Sequence, residues 1–179
     1  MAESRAVKRA MGIWRNRWLA HSARTAVGAA GAFAVARWVG MPEAYWAPVS
    51  TLIVMQSTLG ASWAVSRSRF LGTALGAGLG GLVASFLQPG IFVFAAAVLV
   101  LGLACALLRL DRSAYRFAGV ALAIVMLVAR QQSPPIVAVH RFVEVSIGIG
   151  VALLLTALWP ESTAEPDGRG AVEAQPPAA

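Results

Sequence analysis

Residues 70–108 read FLGTALGAGLGGLVASFLQPGIFVFAAAVLVLGLACALL, two apolar runs without a charge on either side of Gln88-Pro89-Gly90. Pro next to Gly marks a turn, and each run is long enough for a helix to cross a hydrocarbon layer about 30 Å thick. The stretch therefore reads as a membrane hairpin, the third and fourth spans of the chain.

Composition points the same way. Apolar residues make up 58% of the chain and charged residues 13%, with a mean hydropathy of +0.68. A water-facing surface of this size carries more charge. The formal charge of +7 and pI of about 11.3 are spread over short clusters between apolar runs. No basic stripe with interleaved aromatics appears, so nucleic acid is excluded as a partner and the charge reads as topology and contact with anionic lipid. The single Cys105 lies inside an apolar run, where neither disulfide nor metal-ligand spacing applies.

Toward the N-terminus, the third helix is expected to start near Ala61 and pass through Arg67 and Arg69. Ahead of it, Gly40-Met41-Pro42-Glu43 combines a helix stop with a helix start, which makes spans one and two a tight hairpin. The first span covers about 25–40, and the second begins at Ala44 and ends before Gly60. In residues 7–24, Val7, Met11, Trp14 and Trp18 fall at helical spacing while Lys8, Arg9, Arg15 and Arg17 take other faces. That pattern is an amphipathic helix on an anionic membrane surface.

Toward the C-terminus, charges return at Arg109, Asp111, Arg112 and Arg116, a fifth run covers 117–129, and a sixth helix covers 136–159. Pro, Ala, Gly and acidic residues then make a tail unable to bury enough apolar surface to order itself. The expected fold is an all-α membrane protein. It divides into a basic amphipathic segment (1–24), a six-span transmembrane helix bundle (25–160) and a disordered tail (161–179). Lys and Arg concentrate in the N-terminal segment and in the second-to-third and fourth-to-fifth connections, which puts both termini in the cytoplasm.

Four constellations can carry function. Gly72, Gly76 and Gly80 form a small-residue stripe that lets another helix approach closely, either within the chain or at a subunit interface. His140, Arg141 and Glu144 share a face near the start of the sixth helix; they read either as a proton-exchanging group or as an ion pair that fixes helix depth. Gln56, Ser57 and Thr58 sit where the second helix breaks, downstream of Pro48, which reads as a binding site on a broken helix or as a capped helix end. Tyr45, Trp46 and Trp63 read as interfacial belt residues or as ligand stackers. No nucleophile elbow, phosphate loop, metal-ligand spacing or hydrolytic carboxylate pair is present, so no enzyme activity, cofactor or metal is expected.

Arg24-Thr25, the block Pro42-Glu43-Ala44-Tyr45-Trp46-Ala47-Pro48, Val54-Met55-Gln56-Ser57, and Arg69-Phe70-Leu71-Gly72-Thr73 through Gly76 resemble the fusaric acid resistance (FUSC) and aromatic acid exporter family. Arg141-Phe142-Val143-Glu144 followed by Gly148 resembles its last membrane helix. The resemblance implies a multi-pass transporter module of the bacterial inner membrane for proton-driven efflux of aromatic or amphipathic organic anions. It implies substrate contacts at Trp46, Gln56 and Arg69 and a titrating Glu144 beside Arg141, to which the residue reading adds His140 as a proton-exchanging group. Larger members of that family carry two such halves, so a homo-oligomer or a partner membrane subunit is expected. The alternative is a non-transporting subunit or scaffold.

Overall fold

The computed structural model describes residues 2–56, 58–128 and 132–159, with side chains described from residue 18 onward. Among these residues there are six helices and no strand: α1 (Ala2–Trp38), α2 (Trp46–Val54), α3 (Leu59–Phe86), α4 (Ile91–Leu107), α5 (Arg112–Leu127) and α6 (Pro134–Leu158).

α1 runs 37 residues without interruption, so the expected surface helix and the first apolar run are one rod with no break at residue 24. The side chains of 7–17, on which the amphipathic reading rests, and the C-terminal tail lie outside the described residues. α1 ends at Gly40, which takes a positive φ of 81°, with Met41 N–H donating to Ala36 O. This is the glycine-terminated helix end expected there.

Two helices, α3 and α6, are long and apolar enough to cross a membrane. With 28 and 25 residues they measure about 42 and 38 Å at 1.5 Å per residue. α4 is strongly apolar but has 17 residues, and α5 has 16, starting at Arg112. The expected second span needs correction. α2 has nine residues, about 14 Å, because the chain turns through 42–45 before it and leaves helical geometry at Met55. Thr58 then caps α3, its hydroxyl accepting from Ala61 N–H at 3.2 Å. Six full-length spans are therefore not what the helix lengths give.

α3 and α6 lie antiparallel at the centre, with Phe70 and Phe142 in contact at 4.9 Å between ring centroids and Gly81 against Ala138. α5 lies along α3 and runs parallel to it, because Gly72 meets Ala114 and Gly80 meets Leu122 and Val125. α2 lies along α6 in the same way, with Ala47 at Gly148 and Met55 at Thr156. α4 packs outside α5 through Ala97, Leu101 and Cys105, and α1 packs outside α2 through Ala32 and Ala36.

Small residues make these approaches possible. A Cβ on Gly76 would collide with the carbonyl oxygen of Ala118, and one on Gly148 with that of Ala47. The Gly72, Gly76, Gly80 stripe therefore faces α5 of the same chain. In lipid, helices associate through such close contact, since acyl chains supply no hydrophobic drive.

The distribution of side chains is inverted relative to a water-soluble bundle. Phe86, Phe92, Leu107 and Leu158 are largely exposed, whereas Arg24, Arg69, Arg141 and Glu144 are enclosed. Apolar surface outside and charge inside is the arrangement that a lipid solvent favours.

Candidate functional site

The α1–α2 connection sets one face of the site. Glu43 is half-buried in it, and the backbone N–H of Glu43 donates to Glu144 Oε1 of α6 at 3.1 Å. Trp46, at the start of α2, donates its indole N–H to Glu43 Oε2 at 3.0 Å. Over the Trp46 ring lies the Arg141 guanidinium, its carbon 3.5 Å from the ring centroid. Arg141 and Glu144 are 3% and 1% exposed. Glu43, Trp46, Arg141 and Glu144 thus form one cluster, enclosed at Arg141 and Glu144, in which a cation, two carboxylates and an aromatic face meet. A cation over an indole ring is stabilised by about 0.5–2 kcal/mol, most strongly when water is excluded.

α3 adds a second arginine. Arg69 is 5% exposed and donates from Nη2 to Ser50 Oγ at 3.1 Å. Ser50 in turn donates to Trp46 O at 2.9 Å. Arg69 also sits 5.0 Å above the Phe117 ring of α5, and its Nε makes no hydrogen bond. Two buried arginines are therefore linked through α2, whose Thr51 hydroxyl lies 3.0 Å from Gly148 O of α6.

Beside Phe117 opens a pocket of about 240 Å³ lined by Ala64, Ser68, Asp111, Ser113 and Arg116. Ser68 donates to the Asp111 carboxylate, 2.9 and 3.0 Å from its two oxygens.

Of the residues expected to act, Trp46, Arg141 and Glu144 come together, and Arg69 joins them through Ser50. Trp46 belongs with the ionic cluster and not with Gln56. Gln56 lies at the other end of α2, where its amide donates to Ile53 O at 3.3 Å and its backbone carbonyl accepts from Arg24 Nη2 at 2.7 Å. His140 is half-buried and its Nδ1 is enclosed without a hydrogen bond. Ser57 lies outside the described residues. Tyr45 packs against Trp46 at 5.3 Å, and Trp63 is exposed.

Three participants escaped the sequence reading. Arg24 is fully enclosed and donates from Nη1 to Trp159 O at 2.9 Å as well as to Gln56, so it ties α1, the end of α2 and the end of α6 together. Its signal is its place on the small-residue face of α1, four, eight and twelve residues before Gly28, Ala32 and Ala36. Ser50 looked like one hydroxyl in an apolar run. Asp111 looked like a loop charge, and only tertiary contact places it on Ser68.

Enclosed charge inside a lipid-compatible exterior defines a helical membrane protein with a polar interior. The model of the family described as fusaric acid resistance protein-like matches residues 29–155, and the chain belongs to that family, whose role is related to membrane transport. Neither the curated proteins nor the solved structures contain a match to this chain.

Proposed function

We propose that the chain is a bacterial inner-membrane transporter module for proton-coupled efflux of aromatic or amphipathic carboxylic acids, with Glu144 as the coupling carboxylate. The observation that carries this reading is the enclosed cluster itself: Glu144 and Glu43 share the surroundings of Arg141, over an aromatic ring. A proton on Glu144 removes one negative charge and leaves Arg141 able to hold a substrate carboxylate. Loss of that proton returns a negative charge beside Arg141 and displaces the substrate. Only one carboxylate can occupy Arg141 fully, so substrate occupancy and the protonation of Glu144 are coupled.

Trp46 offers an aromatic face to the body of such a substrate, and Arg69 attracts its anionic head. Gln56 donates a hydrogen bond at the far end of α2, and His140 passes protons to and from Glu144. α3 and α6 exceed the hydrocarbon thickness and cross it tilted, with the remaining helices inserted beside them and both termini in the cytoplasm. The working unit is a homo-oligomer or includes a partner membrane subunit. A second reading, a non-transporting subunit, is favoured by the two full-length helices alone.

Proton flux driven by an aromatic carboxylate such as benzoate, measured in vesicles containing the purified protein, separates the two. Benzoate-dependent flux above that of protein-free vesicles, where benzoic acid crosses unaided, supports export; flux equal to that of protein-free vesicles sinks it.

A further inference from the structure

The packing partners of the first three helices and the last three are the same under exchange. α2 packs along α6 as α5 packs along α3, and α1 flanks α2 as α4 flanks α5. Both outer helices end in the same hydrogen-bond pattern. Met41 N–H donates to Ala36 O and Leu110 N–H to Cys105 O, both at 2.9 Å. The residues between, Gly40 and Arg109, both take positive φ, 81° and 52°. Outside glycine that conformation is uncommon, and here it recurs at the equivalent place.

Sequence follows the same correspondence. Arg69-Phe70-Leu71 with Leu75-Gly76-Ala77-Gly78 in α3 matches Arg141-Phe142-Val143 with Ile147-Gly148-Ile149-Gly150 in α6. Ile53-Val54-Met55 at the end of α2 matches Ile124-Val125-Met126 at the end of α5. The two tightest backbone approaches are also equivalent, Gly76 on Ala118 and Gly148 on Ala47. Phe70 and Phe142, matched residues, touch each other, as residues beside a two-fold axis must. Because α3 and α6 are antiparallel, the axis lies across the bundle and inverts one copy relative to the other.

Under this correspondence Phe117 takes the place of Trp46, and the two arginine–aromatic pairs become one site built twice. We propose that α1–α2–α3 and α4–α5–α6 are inverted copies of one three-helix unit, and that Arg69 with Phe117 and the adjoining pocket forms a second carboxylate-binding site. It is the counterpart of Arg141 with Trp46 at the opposite mouth of one route, a word that rests on the transport reading.

The two sites differ in state. Arg141 is 3.5 Å from its ring and Arg69 5.0 Å, and the pocket of about 240 Å³ lies on the Phe117 side. Arg69 Nε is enclosed without a hydrogen bond, a donor left over beside Phe117, which lines the pocket. On this proposal the Phe117 mouth, with its pocket, is the open one and the Trp46 mouth the shut one, and exchanging the conformations of the two copies reverses them.

The test needs no substrate. In a Cys105→Ala background, Ser113→Cys reports the open mouth and His140→Cys the shut one, each read by its labelling rate with an impermeant maleimide in permeabilised vesicles. Indole binds a guanidinium more strongly than phenyl, so Phe117→Trp should tighten the open mouth. Labelling at position 113 should fall about two- to fivefold and labelling at 140 should rise, a range set by that difference in ring affinity. Trp46→Phe, a second conservative change, should move both rates in the same two directions. A change at one reporter alone, a change of equal sign at both, or no change at either overturns the proposal. Benzoate-driven proton flux is measured separately without the reporters. Its absence alongside reciprocal labelling rejects the export reading and leaves the paired sites in place.

Discussion

Glu43 and Glu144 lie 101 residues apart in the chain, yet the backbone N–H of the first donates to the side chain of the second at 3.1 Å. The α1–α2 connection is thereby fastened to the middle of α6. Loss of charge on Glu144 would weaken the bond it accepts from that backbone. Protonation of Glu144 should therefore loosen the attachment of the α1–α2 connection to α6.

Glu144→Gln keeps the shape of the side chain and removes its titration. Gradient-driven export should fall to background while passive benzoate exchange persists, both measured by flux in vesicles. Retention of full gradient-driven export would rule out Glu144 as the coupling group.

Arg141→Gln removes the cation beside the enclosed Glu144 and should cost about 3–5 kcal/mol, the usual penalty for leaving a buried charge uncompensated. If the cluster serves only packing, the double change with Glu144→Gln should recover much of that loss. Melting temperatures of the two single variants and the double variant in detergent measure the coupling, and strict additivity would count against a shared site.

Gly76 and Gly78 make a matched pair. A Cβ at 76 runs into the Ala118 carbonyl, whereas one at 78 meets nothing within 4 Å. Gly76→Ala should therefore lower the melting temperature sharply, by more than the 1–3 kcal/mol typical of overpacking, and Gly78→Ala should leave it unchanged or raise it slightly. Because this stripe is occupied within the chain, a homo-oligomer detected by native mass measurement should survive any folded variant at Gly76.

Arg24 makes two charge-assisted hydrogen bonds to carbonyl groups at the ends of α2 and α6. Each such bond contributes about 1.5–3 kcal/mol, so Arg24→Met should destabilise the fold by several kcal/mol. Arg24→Lys should rescue part of the loss, since one ammonium cannot span both carbonyls as a fork does. Equal melting temperatures for Arg24→Lys and the parent would show that the fork geometry is unimportant.

The helical class, the Gly40 turn, the Pro89 turn and the lengths of α3 and α6 were legible because each depends on local chemistry: an apolar run, a glycine stop, a proline. The length of α2 was not. Residues 44–56 carry no charge, and hydropathy cannot register that Arg24 and Ser62 take the backbone groups of Gln56 and let the helix stop there. At the site, Arg141 and Glu144 were legible from their spacing on one helix. The contribution of Glu43 through its backbone was not, because it depends on where a loop meets a distant helix.

α1 continues from the surface segment to Trp38 as a single unbroken helix, and Arg24 holds it against Gln56 and Trp159. A rod without a hinge transmits force along its length. If its first turns lie among lipid headgroups as the sequence reading expects, crowding or tension there should reach the ends of α2 and α6. The module should respond to the mechanical state and anionic lipid content of its bilayer, measurable as a change in tryptophan fluorescence or melting temperature when vesicle composition or osmotic stretch is varied. Identical behaviour across neutral, anionic and stretched vesicles would show that the rod is decoupled from its surroundings.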